Sequence, residues 1–132
     1  MRRYIVDTHI LLWAFSDPSK ISRQIRSILE DTANEIYFSP INLWEISIKY
    51  RIGKLNLGGF TPEEFYQELK ESFFICLPLE NDTLINSYRL SSEHKDPFDR
   101  ALFWQAIQSE IVLLSADSKS DSYITDGLQV IH

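Results

Sequence analysis

Cysteine is almost absent. Cys76 stands alone among 132 residues, so no internal disulfide can form and no four-cysteine zinc site can be built. It lies in the apolar run Phe73-Phe74-Ile75-Cys76-Leu77, where a buried thiol acting as a small hydrophobe is expected. Glycine is scarce as well, with four residues in all, and none belongs to a glycine-rich phosphate loop. The histidines, His9, His94 and His132, lack zinc-ligand spacing. No serine–histidine or cysteine–histidine set points to covalent catalysis. No apolar run approaches the roughly 18 residues that a membrane span requires. Met1-Arg2-Arg3 is basic, but Asp7 breaks the apolar segment that follows, so no secretory signal is read and the cytoplasm is the expected compartment.

Positive charge is also in deficit. Thirteen Lys and Arg against 19 Asp and Glu leave a net charge of −6. A protein that simply coats nucleic acid is usually basic. A nuclease is still compatible, because carboxylates that hold cations make the bare chain look more acidic than the loaded enzyme. The negative charge also suits a basic partner segment.

What is present is an ordinary globular balance, 44% hydrophobic and 24% charged. The length suits one domain over residues 1–132. Tyr4-Ile5-Val6 reads as a strand and His9 to Phe15 as a short helix, broken at Asp17-Pro18-Ser19. Ile21, Ile25, Ile28 and Leu29 predict a second helix to about Glu30, and Glu35-Ile36-Tyr37-Phe38 a second strand. Ser39-Pro40 starts a helix whose buried face is marked by Ile41, Trp44, Ile48 and Ile52, with Gly53 at its end. After the loop Lys54 to Phe60, Thr61-Pro62-Glu63-Glu64 combines a capping box with a first-position proline, and a helix runs to about Glu71.

Phe73 to Leu77 reads as a third strand. A helix capped by Asn81 or Asp82 reaches about Leu90. Asp96-Pro97 starts another, to about Ser109. Ile111 to Leu114 and Leu128 to Ile131 read as the last strands. Strands that alternate with helices imply an α/β fold, a parallel sheet with helices on both faces.

Ligands of open α/β sheets bind beyond the carboxyl ends of the strands. Asp7 directly follows the first strand, and Asp117 lies just after Ile111-Val112-Leu113-Leu114. Two distant carboxylates therefore share one sheet edge. Asp7 also reads as a cap for the His9 helix. Asp96 and Asp99 open a helix that is apolar on most sides (Phe98, Ala101, Leu102, Phe103, Ala106, Ile107). Both read as first-turn caps, but a carboxylate at Asp99 in a largely buried helix needs a partner or a metal. Glu45 reads as an i, i+4 partner of Lys49 on a solvated face. Converging carboxylates repel unless a cation neutralises them, and Mg²⁺ and Mn²⁺ prefer such oxygen ligands.

Four segments, in order and over essentially the whole chain, resemble the PIN-domain family, and within it the VapC-like toxins of type II toxin–antitoxin pairs. They are Tyr4-Ile5-Val6-Asp7-Thr8-His9-Ile10-Leu11-Leu12-Trp13, Ser39-Pro40-Ile41-Asn42-Leu43-Trp44-Glu45-Ile46, His94-Lys95-Asp96-Pro97-Phe98-Asp99-Arg100-Ala101-Leu102 and Leu114-Ser115-Ala116-Asp117. The resemblance implies a three-layer α/β/α fold with a central, mainly parallel sheet of four to five strands. It implies a Mg²⁺- or Mn²⁺-dependent endoribonuclease that hydrolyses RNA with a metal-activated water, leaving a 5′-phosphate and a 3′-hydroxyl. Asp7, Glu45, Asp99 and Asp117 are its expected catalytic and metal-binding acids, with possible support from Thr8, Asp96 and Asp121. Lys49, Arg51, Lys54, Lys95 and Arg100 are candidates for the RNA backbone, since such side chains neutralise phosphates without reading sequence.

A cognate antitoxin and a homodimer are the implied partners, with no membrane role. Leu55, Leu57 and Phe60 are contact candidates for either partner, or plain core. Two rival functions stand beside this one: a PIN-fold RNA- or protein-binding module without turnover, and a different metal-dependent phosphohydrolase or DNA nuclease.

Overall fold

The structure, a computed structural model, describes residues 2–90 and 96–132. His94 and Lys95 of the third segment lie outside the described residues. Five strands form the sheet: β1 (Arg3–Val6), β2 (Glu35–Phe38), β3 (Ile75–Cys76), β4 (Val112–Leu114) and β5 (Val130–Ile131). Their order is β3-β2-β1-β4-β5, and every pairing is parallel. Among the described residues six α-helices accompany them: α1 (Thr8–Ser16), α2 (Arg23–Glu30), α3 (Pro40–Arg51), α4 (Pro62–Lys70), α5 (Asn81–Ile85) and α6 (Pro97–Gln108). The alternation of strand and helix has produced the expected three-layer sandwich.

Side-chain alternation along the central strand builds the layers. Tyr4 and Val6 point into one core with Ile10, Leu11, Ile25, Phe65 and Leu69, from α1, α2 and α4. Ile5 points into the other with Leu102, Phe103 and Trp104 of α6, joined by Leu113 and Tyr123. Buried on both faces, β1 reads as a continuous apolar run. Ile5 is fully buried, a burial that contributes roughly 1.5–3 kcal/mol.

Several local expectations are corrected. β3 is a two-residue strand at the edge of the sheet, paired with β2, so Cys76 is exposed, and within that run Phe74 alone is buried. The helix expected to run to Leu90 stops at Ile85 and gives way to a 3₁₀ turn over Ser87–Arg89. Its N-cap is Glu80, with no side-chain cap hydrogen bond, rather than Asn81 or Asp82. A 3₁₀ segment, Ser118–Asp126, follows β4 and closes on Gly127 at a φ of 102°, a left-handed conformation that glycine adopts without a Cβ penalty.

The face of α3 is also rotated from expectation. Its buried residues are Ile41, Asn42, Glu45 and Ile46, while Trp44 is 60% and Ile52 56% exposed. Leu55 and Leu57 pack against the first core, and Phe60 is exposed.

Candidate active site

Sheet register brings the first and fourth segments together. Val6 of β1 pairs with Leu114 of β4, and the Asp7 N–H donates to the Leu114 carbonyl at 3.0 Å. Both chains then turn outward at the carboxyl edge of the sheet. Asp7 becomes the N-cap of α1, with its Oδ1 accepting from the Ile10 N–H at 2.9 Å. Its Oδ2 accepts from Ser115 Oγ at 2.8 Å and from the Ala116 N–H at 2.9 Å. The cap reading and the sheet-edge reading of Asp7 are thus both realised by one side chain.

These three donors are neutral, and Asp7 is 5% exposed. Burial pushes its carboxyl above the usual aspartate range, and the hydrogen bonds from Ile10, Ala116 and Ser115, with nearby His9, offset only part of that. A buried carboxylate held in one orientation without a cation is costly.

Glu45 is brought to the same place by α3. Ser39 caps this helix through a reciprocal box with Asn42: Ser39 Oγ accepts from the Ile41 N–H at 3.0 Å, and Asn42 Oδ1 from the Ser39 N–H at 2.7 Å. The Asn42 amide then donates to Thr8 Oγ1 at 3.0 Å, and Thr8 Oγ1 donates to Glu45 Oε1 at 2.6 Å. Lys49 Nζ pairs with Glu45 Oε2. The expected i, i+4 pair is therefore present, but Glu45 is 4% exposed and not on a solvated face. Burial alone would push the Lys49 ammonium down; Glu45, and then Asp96 and Asp99, outweigh this and hold it above the usual lysine value.

The third segment enters from the opposite layer. Asp96 caps α6, accepting from the N–H groups of Phe98 at 2.9 Å and Asp99 at 3.4 Å, so its cap reading holds. Asp117 accepts from the Lys119 N–H at 2.9 Å as the chain enters the 3₁₀ segment. One cavity of about 410 Å³ is lined by Asp7, Thr8, Glu45, Asp96, Asp99 and Asp117, together with His9, Lys49, Phe103 and Lys119. All four expected acids face it.

Other candidates fall elsewhere. Asp121 lies outside that lining and pairs with His132 Nε2 at 2.7 Å. Arg100 donates to the Leu90 carbonyl at 3.2 Å and lines a separate cavity with Ser87, Pro97 and Ala101. Arg51 and Lys54 are exposed and do not line the acid cavity. The sequence reading missed Asn42, Ser115 and Lys119. Asn42 and Ser115 lie within the second and fourth segments, and their roles as hydrogen-bond bridges depend on pairings that only the fold creates.

The donor set suits a hard divalent cation. Among the described residues no three Asp, Glu, His or Cys side chains close into a ready-made ligand cage. Mg²⁺ does not need one, since it takes one or two carboxylates and keeps several waters. Among the described residues Asp7 is held by neutral donors alone, and Glu45 has both oxygens directed, so these two could hold the cation; Asp99 and Asp117 complete the wall.

The family model of the PIN domain matches residues 4–123. Among solved structures, the chain is similar to the DNA-bound VapBC of Salmonella typhimurium, with a TM-score of 0.69, 17% identity and coverage of 99% of this chain and 98% of that one. VapBC-1 of nontypeable Haemophilus influenzae gives 0.67 and 21%, covering 98% and 96%. A toxin–antitoxin complex from Klebsiella pneumoniae gives 0.60 and 21%, with the same coverage of 98% and 96%. No curated protein matches the chain. PIN domains are generally nucleases that use divalent metals. A match over most of the chain, on a parallel sheet whose carboxyl edge carries the acids, shows that this protein belongs to the PIN-domain family.

Proposed function

We propose that this protein is a Mg²⁺- or Mn²⁺-dependent endoribonuclease and acts as the toxin of a toxin–antitoxin pair. The observation that carries the reading is the single cavity walled by Asp7, Glu45, Asp99 and Asp117, four acids from four separate segments. A divalent cation bound there supplies Lewis acidity toward a phosphodiester and promotes attack by water.

The chain's own residues do the rest. Ile10, Ser115 and Ala116 fix both oxygens of Asp7, so little reorientation is needed when charge arrives. Thr8, itself held by Asn42, fixes Glu45. Lys49 and Lys119 face the cavity from two sides and are suited to a phosphate oxygen. Among the residues expected at the RNA backbone, Lys49 has this support, while Arg51, Lys54 and Arg100 belong to a wider surface outside the cavity. The choice of RNA, and of 5′-phosphate and 3′-hydroxyl products, rests on the resemblance to VapC-like toxins.

A cognate antitoxin that presents a basic side chain fits the acidic cavity. Ile85 and Tyr88, 79% and 76% exposed, leave apolar surface for that partner or for a second copy of the chain. Among the described residues no helix is long and apolar enough to cross a membrane.

The test is incubation of the purified protein with single-stranded RNA, DNA and small phosphate esters, each with Mg²⁺, Mn²⁺ or EDTA. Metal-dependent loss of RNA alone is expected. Binding without cleavage would make the protein a PIN-fold module, and cleavage of DNA or esters would make it a different phosphohydrolase.

A further inference from the structure

Two lysines line the acid cavity, and one of them, Lys49, is already paired with an acid of the site. Lys49 leaves the same helix as Glu45 one turn later, pairs with Glu45 Oε2 and lines the cavity with Asp96 and Asp99. Its side chain is 31% exposed against 6% for that of Glu45. The carboxylate is therefore fixed and buried, whereas the ammonium sits on a long stem with an open path to water. The other oxygen, Oε1, is occupied by the short hydrogen bond from Thr8. A metal ion that uses Glu45 as a ligand through Oε2 meets Lys49 first.

We propose that Lys49 is an exchangeable internal counter-ion, which holds Glu45 in the metal-free protein and competes with the divalent cation for it. The inference rests on the reading of Glu45 as an acid of the metal site. Two positive charges cannot share one carboxylate oxygen at contact distance without strong repulsion. Metal entry therefore moves the Lys49 ammonium off Glu45. Its stem keeps it at the cavity wall, where a substrate phosphate is the available anion. The same residue then serves two states: it neutralises a buried acid while the site is empty, and it faces the scissile strand once the site is loaded.

The competition is read without any turnover. Mn²⁺ affinity is measured on the metal-free protein by the electron paramagnetic resonance signal of free Mn²⁺, with no RNA present. Lys49→Met keeps the stem and removes the charge, and it is expected to bind Mn²⁺ about tenfold tighter, the scale of one charged hydrogen bond removed from the competition. Lys49→Arg retains a cation and is expected to stay within about twofold of the parent protein. In a Glu45→Gln background the gain from Lys49→Met is expected to shrink to about twofold, because the contested ligand is gone and only the longer-range repulsion between Lys49 and the metal is relieved. Lys49→Gln replaces Lys49→Met if the latter does not fold, since its amide can still donate to Glu45.

Unchanged or weaker Mn²⁺ binding on loss of the charge overturns the inference while leaving the metal site intact. Equal Mn²⁺ binding by the parent and Glu45→Gln proteins removes Glu45 from the metal site and overturns both.

Discussion

Asp7→Asn separates the structural role of this side chain from its proposed chemical role. The carboxylate accepts three hydrogen bonds, one on Oδ1 and two on Oδ2. An asparagine of the same shape has one accepting oxygen. With the oxygen toward Ser115 and Ala116, its NH₂ meets the Ile10 N–H and the helix cap is lost. Flipped, the NH₂ can donate to the Ser115 hydroxyl but meets the Ala116 N–H. Either way one backbone donor loses its partner, at a cost of about 1–3 kcal/mol. Against this, the substitution removes a carboxylate that burial disfavours in its charged form.

The sign of the pH effect follows from that burial. Because the folded carboxyl titrates above its usual 3.8, its contribution to stability is fully present below the unfolded pKa and is lost as pH rises through the folded one. Asp7→Asn lacks this loss. In EDTA, its stability relative to the parent is therefore expected to improve between pH 4 and pH 7, and urea unfolding at the two pH values checks this. At neutral pH a net penalty near 1 kcal/mol lowers the melting temperature by roughly 3–6 °C. Metal-dependent RNA cleavage is expected to fall by at least about 100-fold, the upper range for disturbing a metal site's outer partners and a floor for a ligand. A folded Asp7→Asn protein that cleaves at the parental rate would refute the mechanism, and one that gains no relative stability with pH would refute the burial argument.

Three further outcomes are expected in and around the site. Thr8→Val removes the donor to Glu45 and the acceptor for Asn42, so urea unfolding is expected to show a loss of about 2–4 kcal/mol, while Thr8→Ser stays within about 1 kcal/mol of the parent. Asp96→Asn keeps a good helix cap and is expected to retain both melting temperature and RNA cleavage, whereas Asp99→Asn, in the same turn, loses cleavage by about 100-fold. The His132 imidazole is held above its usual 6.5, first by the hydrogen bond to Asp121 and further by Ser115. Its stabilising effect is present below that value and lost as pH rises through the folded pKa. Asp121→Asn is expected to lower the His132 midpoint in an NMR titration and leave cleavage unchanged.

Much of the fold is legible because its signals are local. Tyr4 to Val6, Glu35 to Phe38 and the Ser39-Pro40, Thr61-Pro62 and Asp96-Pro97 helix starts all depend on a few adjacent residues, and each appears where the sequence puts it. The failures lie where environment decides. Cys76 looks like core in its own run, but its strand lies at an edge. The segment after Asp117 has no strong periodicity, and it became a 3₁₀ turn whose Tyr123 fills a core made by distant residues. For the site, Asp7 and Asp117 follow from strand-end placement, but Ser115 as the bridge between their strands follows only from register.

Glu45 is the instructive case, because its apolar neighbours misdirect. Ile41, Trp44, Ile48 and Ile52 suggest one buried stripe and leave Glu45 beside it. In the fold the helix is turned so that Asn42, Glu45 and Ile46 face inward, and Trp44 instead lies edge-on to Phe98 at 5.0 Å while 60% exposed. Hydrophobic periodicity assumes that the buried side of a helix is its most apolar side. That assumption fails where the inward face must meet polar groups at a sheet edge, here Thr8 at the start of α1. The network Asn42–Thr8–Glu45–Lys49 satisfies the buried polar atoms and removes the penalty that would otherwise forbid this rotation. A polar residue pair at helical spacing that displaces the obvious apolar stripe is therefore a stronger sign of a functional site than any one acid in it.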